Sequence, residues 1–362
     1  MKKVGIVTIT SGANYGNRLQ NYAMQVTLKE IGYNPLTIRK IDEKKTFKTF
    51  IKKVIKHTTK YRYTGFEKRI ERFEKFNKKY INFSKNYIIS DDYNEKLCNE
   101  FDYFICGSDQ IWNPNYKMNT GCHFLSFVKG KNKISVSASF GVEEIDKSNS
   151  EQISIWLKEL DDISVRERAA KKICENIVGR EVKVLIDPTL MLTGKEWRQI
   201  ARRPKNIEKN NYILCYLLGN VNNDLIENLK EYAIQTEKKI IFLEDIWRNL
   251  GVSSDEEFSY DPSEFVWLID NADRVVTDSF HATVFSIIFN KKFMVIPREE
   301  NNKNNMNSRF TSLIEMFDIK NAIYSEESGF TQWAKEDHKK IEMILNQEKR
   351  KFREYINKNL ET

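Results

Sequence analysis

Residues 274–287 read RVVTDSFHATVFSI. The β-type run Arg274-Val275-Val276-Thr277 stops at Asp278-Ser279-Phe280, and from His281 onward the apolar spacing is helical. A strand that ends in a short turn and feeds a helix is the repeating unit of a parallel α/β sheet. Only four histidines occur in the 362 residues, and one of them stands at this turn. The free N–H groups and dipole of a helix start favour an anion, and imidazole adds a titratable proton beside it. The competing reading is a histidine that is simply structural.

The same rhythm runs outward from this stretch. Residues 4–10, 36–39, 101–106, 134–140, 163–165 and 182–186 read as strands, with helices over 17–31, ended by Gly32, and over 167–178. A polar break follows at 202–211, RRPKNIEKNN. Beyond it lie strands at 212–218, 240–243, 274–277 and 293–296, with helices over 223–236 and 282–290. Asp261-Pro262-Ser263-Glu264 has the form of a helix start, with Asp as N-cap, Pro at N1 and Glu at N3, for a helix to about 271. A last long helix is expected over 331–359. The expected fold is α/β: two Rossmann-like doubly wound domains, 1–201 and 212–330, facing a cleft. A linker at 202–211 joins them and a C-terminal helix occupies 331–362. In such sheets ligands bind outside the carboxyl ends of the strands.

Composition narrows the function classes. No apolar run approaches bilayer length, and the start MKKVGIVTIT reads as a first strand rather than a signal peptide. Five scattered cysteines without a CxxC pair read as buried thiols of a reducing compartment, so the expected location is cytoplasmic. Net charge is +8, and residues 44–80 carry fourteen Lys/Arg against three Glu, so 14 − 3 = +11 lies there and 8 − 11 = −3 elsewhere. Within that segment Phe66, Ile70, Phe73, Phe76 and Tyr80 recur at helical spacing. Two readings follow: a solvated Lys-rich helical insertion, or a surface for the anionic inner face of a membrane or an anionic glycan carrier. A single basic helix without a binding motif does not indicate nucleic acid.

Four strand-end loops carry chemistry. In the first, SGANYGN (11–17), the G-x-x-x-G spacing gives poor support to a dinucleotide cofactor, and no GK[ST] occurs. Asn14, Tyr15, Gly16 and Asn17 read as a tight turn or as polar contacts to a sugar. In the second, GSDQIWNPN (107–115), Ser108 or Asp109 suits a helix cap, while Asp109, Gln110, Trp112 and Asn113 suit carbohydrate, with hydrogen bonds to hydroxyls and an indole face for the ring. The third ends at Arg166, whose fork takes phosphate or carboxylate, or pairs at the surface with Glu167 or Asp162. The fourth is the opening stretch, with Arg309 of Asn307-Ser308-Arg309 available to it. The four histidines lie far apart, so no metal site is evident.

Together SGANYGNRLQNYAMQ, YFICGSDQIWNPNY, SVRE, IDPTLMLTGKEW, VVTDSFHATVFSIIFNKKF and NSRFTSL resemble, in order over about 4–319, the polysaccharide pyruvyl transferase family. The resemblance implies two Rossmann-like domains similar to GT-B glycosyltransferases, with a C-terminal helix returning to the first. It implies transfer of a pyruvyl unit from phosphoenolpyruvate, the donor substrate, to a sugar of a cell-surface polysaccharide or exopolysaccharide, without a cofactor. Two hydroxyls add to the donor's C2 and phosphate leaves, giving a cyclic ketal. On this reading His281 is the general acid and contacts the donor phosphate, and Arg166 binds phosphate or carboxylate. The first two loops hold a glycan or lipid-linked oligosaccharide acceptor, with Asp109 as base. One departure stands out: where family members often carry Arg-Leu-His, this chain has Ser279-Phe280-His281. Arg309, with Lys291 or Arg298, is expected to supply the missing cation, and Ser279 a hydroxyl donor. The rival readings are a GT-B nucleotide-sugar glycosyltransferase and a degenerate, non-catalytic glycan binder.

Overall fold

A computed structural model describes residues 1–40, 65–116, 120–205, 207–219, 222–243, 259–298, 308–334 and 337–361. The first sheet contains β1 (Lys3–Val7), β2 (Asn34–Thr37), β3 (Tyr103–Cys106), β4 (Asn132–Ala138), β5 (Asp162–Val165) and β6 (Lys183–Val184), in the order β2-β1-β3-β4-β5-β6. The second contains β7 (Tyr212–Tyr216), β8 (Lys239–Phe242), β9 (Arg274–Thr277) and β10 (Lys292–Val295), in the order β10-β9-β7-β8. Every pairing is parallel. Strands β3 and β7 are buried at every position, as sheets covered on both faces require.

The helices are α1 (Tyr15–Ile31), α2 (Gly65–Tyr80), α3 (Glu95–Glu100), α4 (Lys147–Lys158), α5 (Arg168–Val178), α6 (Gly194–Arg198), α7 (Asn223–Gln235), α8 (Pro262–Asp270), α9 (Phe280–Ile288), α10 (Ser308–Phe317) and α11 (His338–Leu360). The expected capping box forms at Asp261 and Glu264, each side chain accepting the other's backbone N–H. Strand order reverses between β1 and β3 in one sheet and between β7 and β9 in the other. The loops after these four strands therefore converge on the places where open α/β sheets bind ligands. Residues 202–211 run between α6 and β7, and Arg202 pairs with Asp261 and Glu264 at the start of α8.

The basic helix has a different role from a free amphipathic surface. Phe73 and Phe76 of α2 are buried, and Phe73 meets the ring of Tyr15 at 5.2 Å. Arg69 donates to Ala13 O at 2.9 Å, and Arg72 reaches Glu264 on α8 at 2.9 Å. The apolar face of α2 thus packs between the two sheets' helices, leaving Lys68, Lys75, Lys78 and Lys79 outward. The rest of the expected membrane-facing segment, 44–64, lies outside the described residues. No helix of the described residues is long and apolar enough to cross a membrane.

Several boundaries differ from the sequence reading, most at the last helix and at β6. The last helix starts at His338, where Asp337 caps it by accepting from Lys339 N and Lys340 N, and not near 331. Ahead of it, Phe330 and Trp333 pack against Tyr232 at 5.9 and 5.6 Å. Strand β6 is only two residues long; beyond it Leu185 N still donates to Val165 O at 2.9 Å, and Ile186 O accepts from Ser137 Oγ at 2.7 Å. Helix α11 returns to the first sheet, with Phe352, Ile356 and Leu360 buried and Tyr355 Oη donating to Ser135 O at 3.1 Å. All five cysteines are buried and free.

The packing of α2 predicts that Phe73→Ala costs about 3–5 kcal/mol of stability, the range for deleting a buried aromatic ring. Denaturant unfolding measures it. A helix whose apolar face awaited lipid would lose vesicle binding and keep its unfolding midpoint.

Candidate active site

A cavity of about 450 Å³ lies at the two switch points. Asn14, Asn17, Asp109, Gln110 and Tyr116 line it from the first sheet's loops, and Leu218, Ser279, Phe280, His281, Arg298 and Arg309 from the second half of the chain. The first turns of α1, α9 and α10 all reach its wall, and none of the three carries an acidic residue there. Asn14 caps α1 by accepting from Asn17 N at 3.2 Å. Ser279 occupies the N-cap of α9, yet its hydroxyl makes no cap hydrogen bond.

His281 sits in the first turn of α9 and lies over α1. A Cβ added to Gly16 would stand 2.0 Å from His281 Nδ1, so only glycine lets the imidazole take this place. On the other side, His281 Nε2 is 3.6 Å from Asp187 Oδ2 and has no hydrogen-bond partner. Asp187 is fully buried and densely bonded. Its Oδ2 accepts from Ser108 Oγ at 2.9 Å and Arg166 Nη1 at 3.0 Å, and its Oδ1 from Thr189 N and Oγ1 at 3.0 and 2.7 Å. Burial works to raise its pKa, but His281, Arg166 and the Thr189 N–H outweigh that and hold the carboxyl well below the usual range.

Arg166 is not at the surface. Its side chain is 2% exposed, with Asp187 at 3.0 Å, Asp109 at 3.5 Å and Glu167 at 3.7 Å, and it lies 4.2 Å from the ring centre of Phe280. Burial would lower its pKa, and the three carboxylates together raise it instead. Glu167 spends Oε1 on Ser139 Oγ, Phe140 N and Gly141 N. Arg309 is the contrast. It is buried, no ion-pair partner stands within 4 Å among the described residues, and its Nε has no hydrogen-bond partner. Burial, with Arg166 pushing the same way, brings its pKa down to about 10. Arg298 is committed to Asp278 at 2.7 Å, and Asp278 also accepts from Leu218 N and Gly219 N.

The structure therefore sorts the residues expected at the site. Asn14, Asn17, Asp109, Gln110, Ser279, Phe280, His281 and Arg309 line one cavity. Tyr15 does not. It is fully buried, stacks on Phe265 at 4.3 Å and donates to Tyr260 O at 3.0 Å. Trp112 is also buried, stacked on Phe124 at 5.0 Å with Nε1 donating to His123 O, so its indole presents no face to a sugar. Ser108 and Asn113 are spent inside, on Asp187 and on Asn115 N. Arg166 opens instead on a neighbouring cavity of about 560 Å³, walled from the first by Phe280 and Arg309. Lys291 is at the opposite end of α9, donating to Ala272 O. Sequence reasoning missed Asp187, whose signal was the Asp-Pro that ends β6, and missed Tyr116, Leu218 and Asp278. Among the described residues no group of three or more His, Cys, Asp or Glu is placed to hold a metal.

Two substitutions test this geometry. Gly16→Ala is expected to destabilise by about 1–3 kcal/mol through overpacking on the imidazole, and the penalty should vanish in a His281→Ala background, read by a double-mutant unfolding cycle. Arg166→Met should cost about 3–5 kcal/mol, because it strands buried carboxylates without their cation.

The comparisons with known proteins fit this architecture. The structure superposes on UDP-N-acetylglucosamine 2-epimerase from Rickettsia bellii with a TM-score of 0.53 at 13% identity, over 99% of this chain and 98% of that one. It superposes on the UDP-GlcNAc 2-epimerase of Methanocaldococcus jannaschii, in complex with UDP-GlcNAc and UDP, with a TM-score of 0.50 at 15% identity, over 95% and 92%. At these identities the likeness is one of fold, the two-sheet GT-B type with a long C-terminal helix. No protein of curated function matches the sequence. The sequence model described as polysaccharide pyruvyl transferase matches residues 14–300. With most of its length inside that match, the chain belongs to the polysaccharide pyruvyl transferase family.

Proposed function

We propose that the protein transfers a pyruvyl unit from phosphoenolpyruvate to two hydroxyls of a sugar in a cell-surface glycan, forming a ketal. The observation that carries this reading is Arg309, buried with no ion pair within 4 Å among the described residues, at a cavity where three acid-free helix starts converge. A buried guanidinium with no carboxylate in direct contact favours an anionic ligand, and N–H groups at helix starts receive phosphate or carboxylate oxygens without further cations. Phosphoenolpyruvate is small and highly anionic, and needs such a site rather than a glycine-rich dinucleotide cradle.

In this reading Arg309 and the hydroxyl of Ser279 bind the donor, standing where relatives often carry an arginine beside the histidine. His281 gives a proton to C3, which leaves C2 open to attack. One sugar oxygen adds to C2; the second adds as the C2–O bond to phosphate breaks, and the leaving group's charge is met by Arg309 and the helix starts. Asp109, held by Asn17 Nδ2 at 2.5 Å, receives the proton of one attacking hydroxyl and passes it to the departing phosphate, while the other hydroxyl's proton restores His281. Arg166 acts one step removed, fixing Asp187 and Asp109 in place rather than gripping the donor, because its charge is already met by carboxylates.

Calorimetry with phosphoenolpyruvate tests the reading. Arg309→Ala should weaken binding about 10- to 100-fold, the loss of one or two charge-assisted hydrogen bonds. His281→Ala should retain binding and lose phosphate release. No phosphoenolpyruvate binding by the wild type, with a clear response to UDP-GlcNAc, would hand the site to nucleotide-sugar chemistry.

A further inference from the structure

The sugar has no indole to rest on, since Trp112 is buried. We propose that Tyr116 and Leu218, facing the same cavity from opposite halves of the chain, form the subsite that seats a pyranose ring of the acceptor. Among the described residues ten large apolar side chains remain exposed, and two of them, Tyr116 at 38% and Leu218 at 39%, line this one cavity. Tyr116 arrives on the loop after β3 and Leu218 on the loop after β7, so a ring between them touches both walls of the cleft.

Neither residue is a loosely held surface side chain. Tyr116 Oη donates to Gln110 Oε1 at 2.5 Å, and Tyr116 N donates to Asn113 O at 3.1 Å. Gln110 is itself lodged against Gly141, where any Cβ would stand 1.9 Å from Gln110 Nε2 and where φ is +66°. Leu218 is pinned through its N–H to Asp278 Oδ1 at 2.8 Å, and Arg298 holds Asp278. Apolar surface kept exposed and rigid at a cavity mouth is the mark of a binding site. An aromatic ring paired with an aliphatic side chain suits the C–H faces of a pyranose, while Asn14, Asn17 and Asp109 offer amide and carboxylate groups to its hydroxyls. Hydroxyls seated there lie in the same cavity as His281 and Arg309, as transfer from a bound donor requires. The subsite rests on the proposed reaction for its purpose, but its geometry and its test stand without it.

The experiment is saturation-transfer NMR with methyl glycosides of glucose, galactose, mannose and N-acetylglucosamine, in the presence of phosphoenolpyruvate. Transfer to at least one pyranoside is expected in the wild type. Tyr116→Ala should weaken it about tenfold, the scale of one aromatic contact, while Tyr116→Phe, which keeps the ring, should not. Phosphoenolpyruvate affinity by calorimetry should be the same in all three proteins. No transfer to any pyranoside in a wild type that binds phosphoenolpyruvate overturns the subsite, as does transfer undiminished in Tyr116→Ala. If the wild type binds a pyranoside through Tyr116 but no phosphoenolpyruvate, the subsite stands and the donor assignment falls.

Discussion

A guanidinium buried among three carboxylates costs several kcal/mol per ion unless every charge is met. Arg166 and Asp187 meet that demand for each other at 3.0 Å, and the rest of the site is arranged around them. Asp187 closes β6, Arg166 ends β5, Ser108 follows β3 and His281 begins α9, so one buried pair ties three loops of the first sheet to the first helix turn of the second.

Around that anchored cluster the charges are deliberately unequal in their pairing. Arg166 and Arg298 are consumed by Asp187 and Asp278, and each thereby positions a loop. Among the described residues Arg309 has no ion pair within 4 Å, and it lies beside helix starts that carry no acid. The proposed anion site rests on how the cations are paired rather than on how many there are. Gly16 completes the arrangement from the first domain, because a side chain there would displace the imidazole.

The regular strands, the capping box at Asp261 and the order of the two halves were legible because hydrophobic periodicity and cap chemistry are local. Strand ends were read too long in the first sheet. Residues such as Thr8 remain β-like in type but spend their side chains on loop contacts, here donating to Ser108 O. The residues that line the cavity were legible at His281, Asp109, Asn17 and Arg309, each a polar residue at a strand end or helix start. The lining was misread at Tyr15 and Trp112, because an aromatic residue in a polar loop looks the same whether its ring faces a ligand or the core. Tyr15 stacks on Phe265 and Trp112 on Phe124, and no spacing rule announces either partner.

The order of residues along the chain thus determined by itself that this is a parallel α/β protein in two halves, with a histidine at a helix start and a basic amphipathic segment. Those features depend on neighbours a few residues apart. Which aromatic ring faces the cavity, which arginine is spent and which is left open, and whether the basic helix packs on protein were decided only in the folded molecule. Each depends on groups beyond local reach, from 12 residues apart for Trp112 and Phe124 to 250 for Tyr15 and Phe265, meeting in a low-dielectric interior, where a charge or a ring takes its role from what it touches.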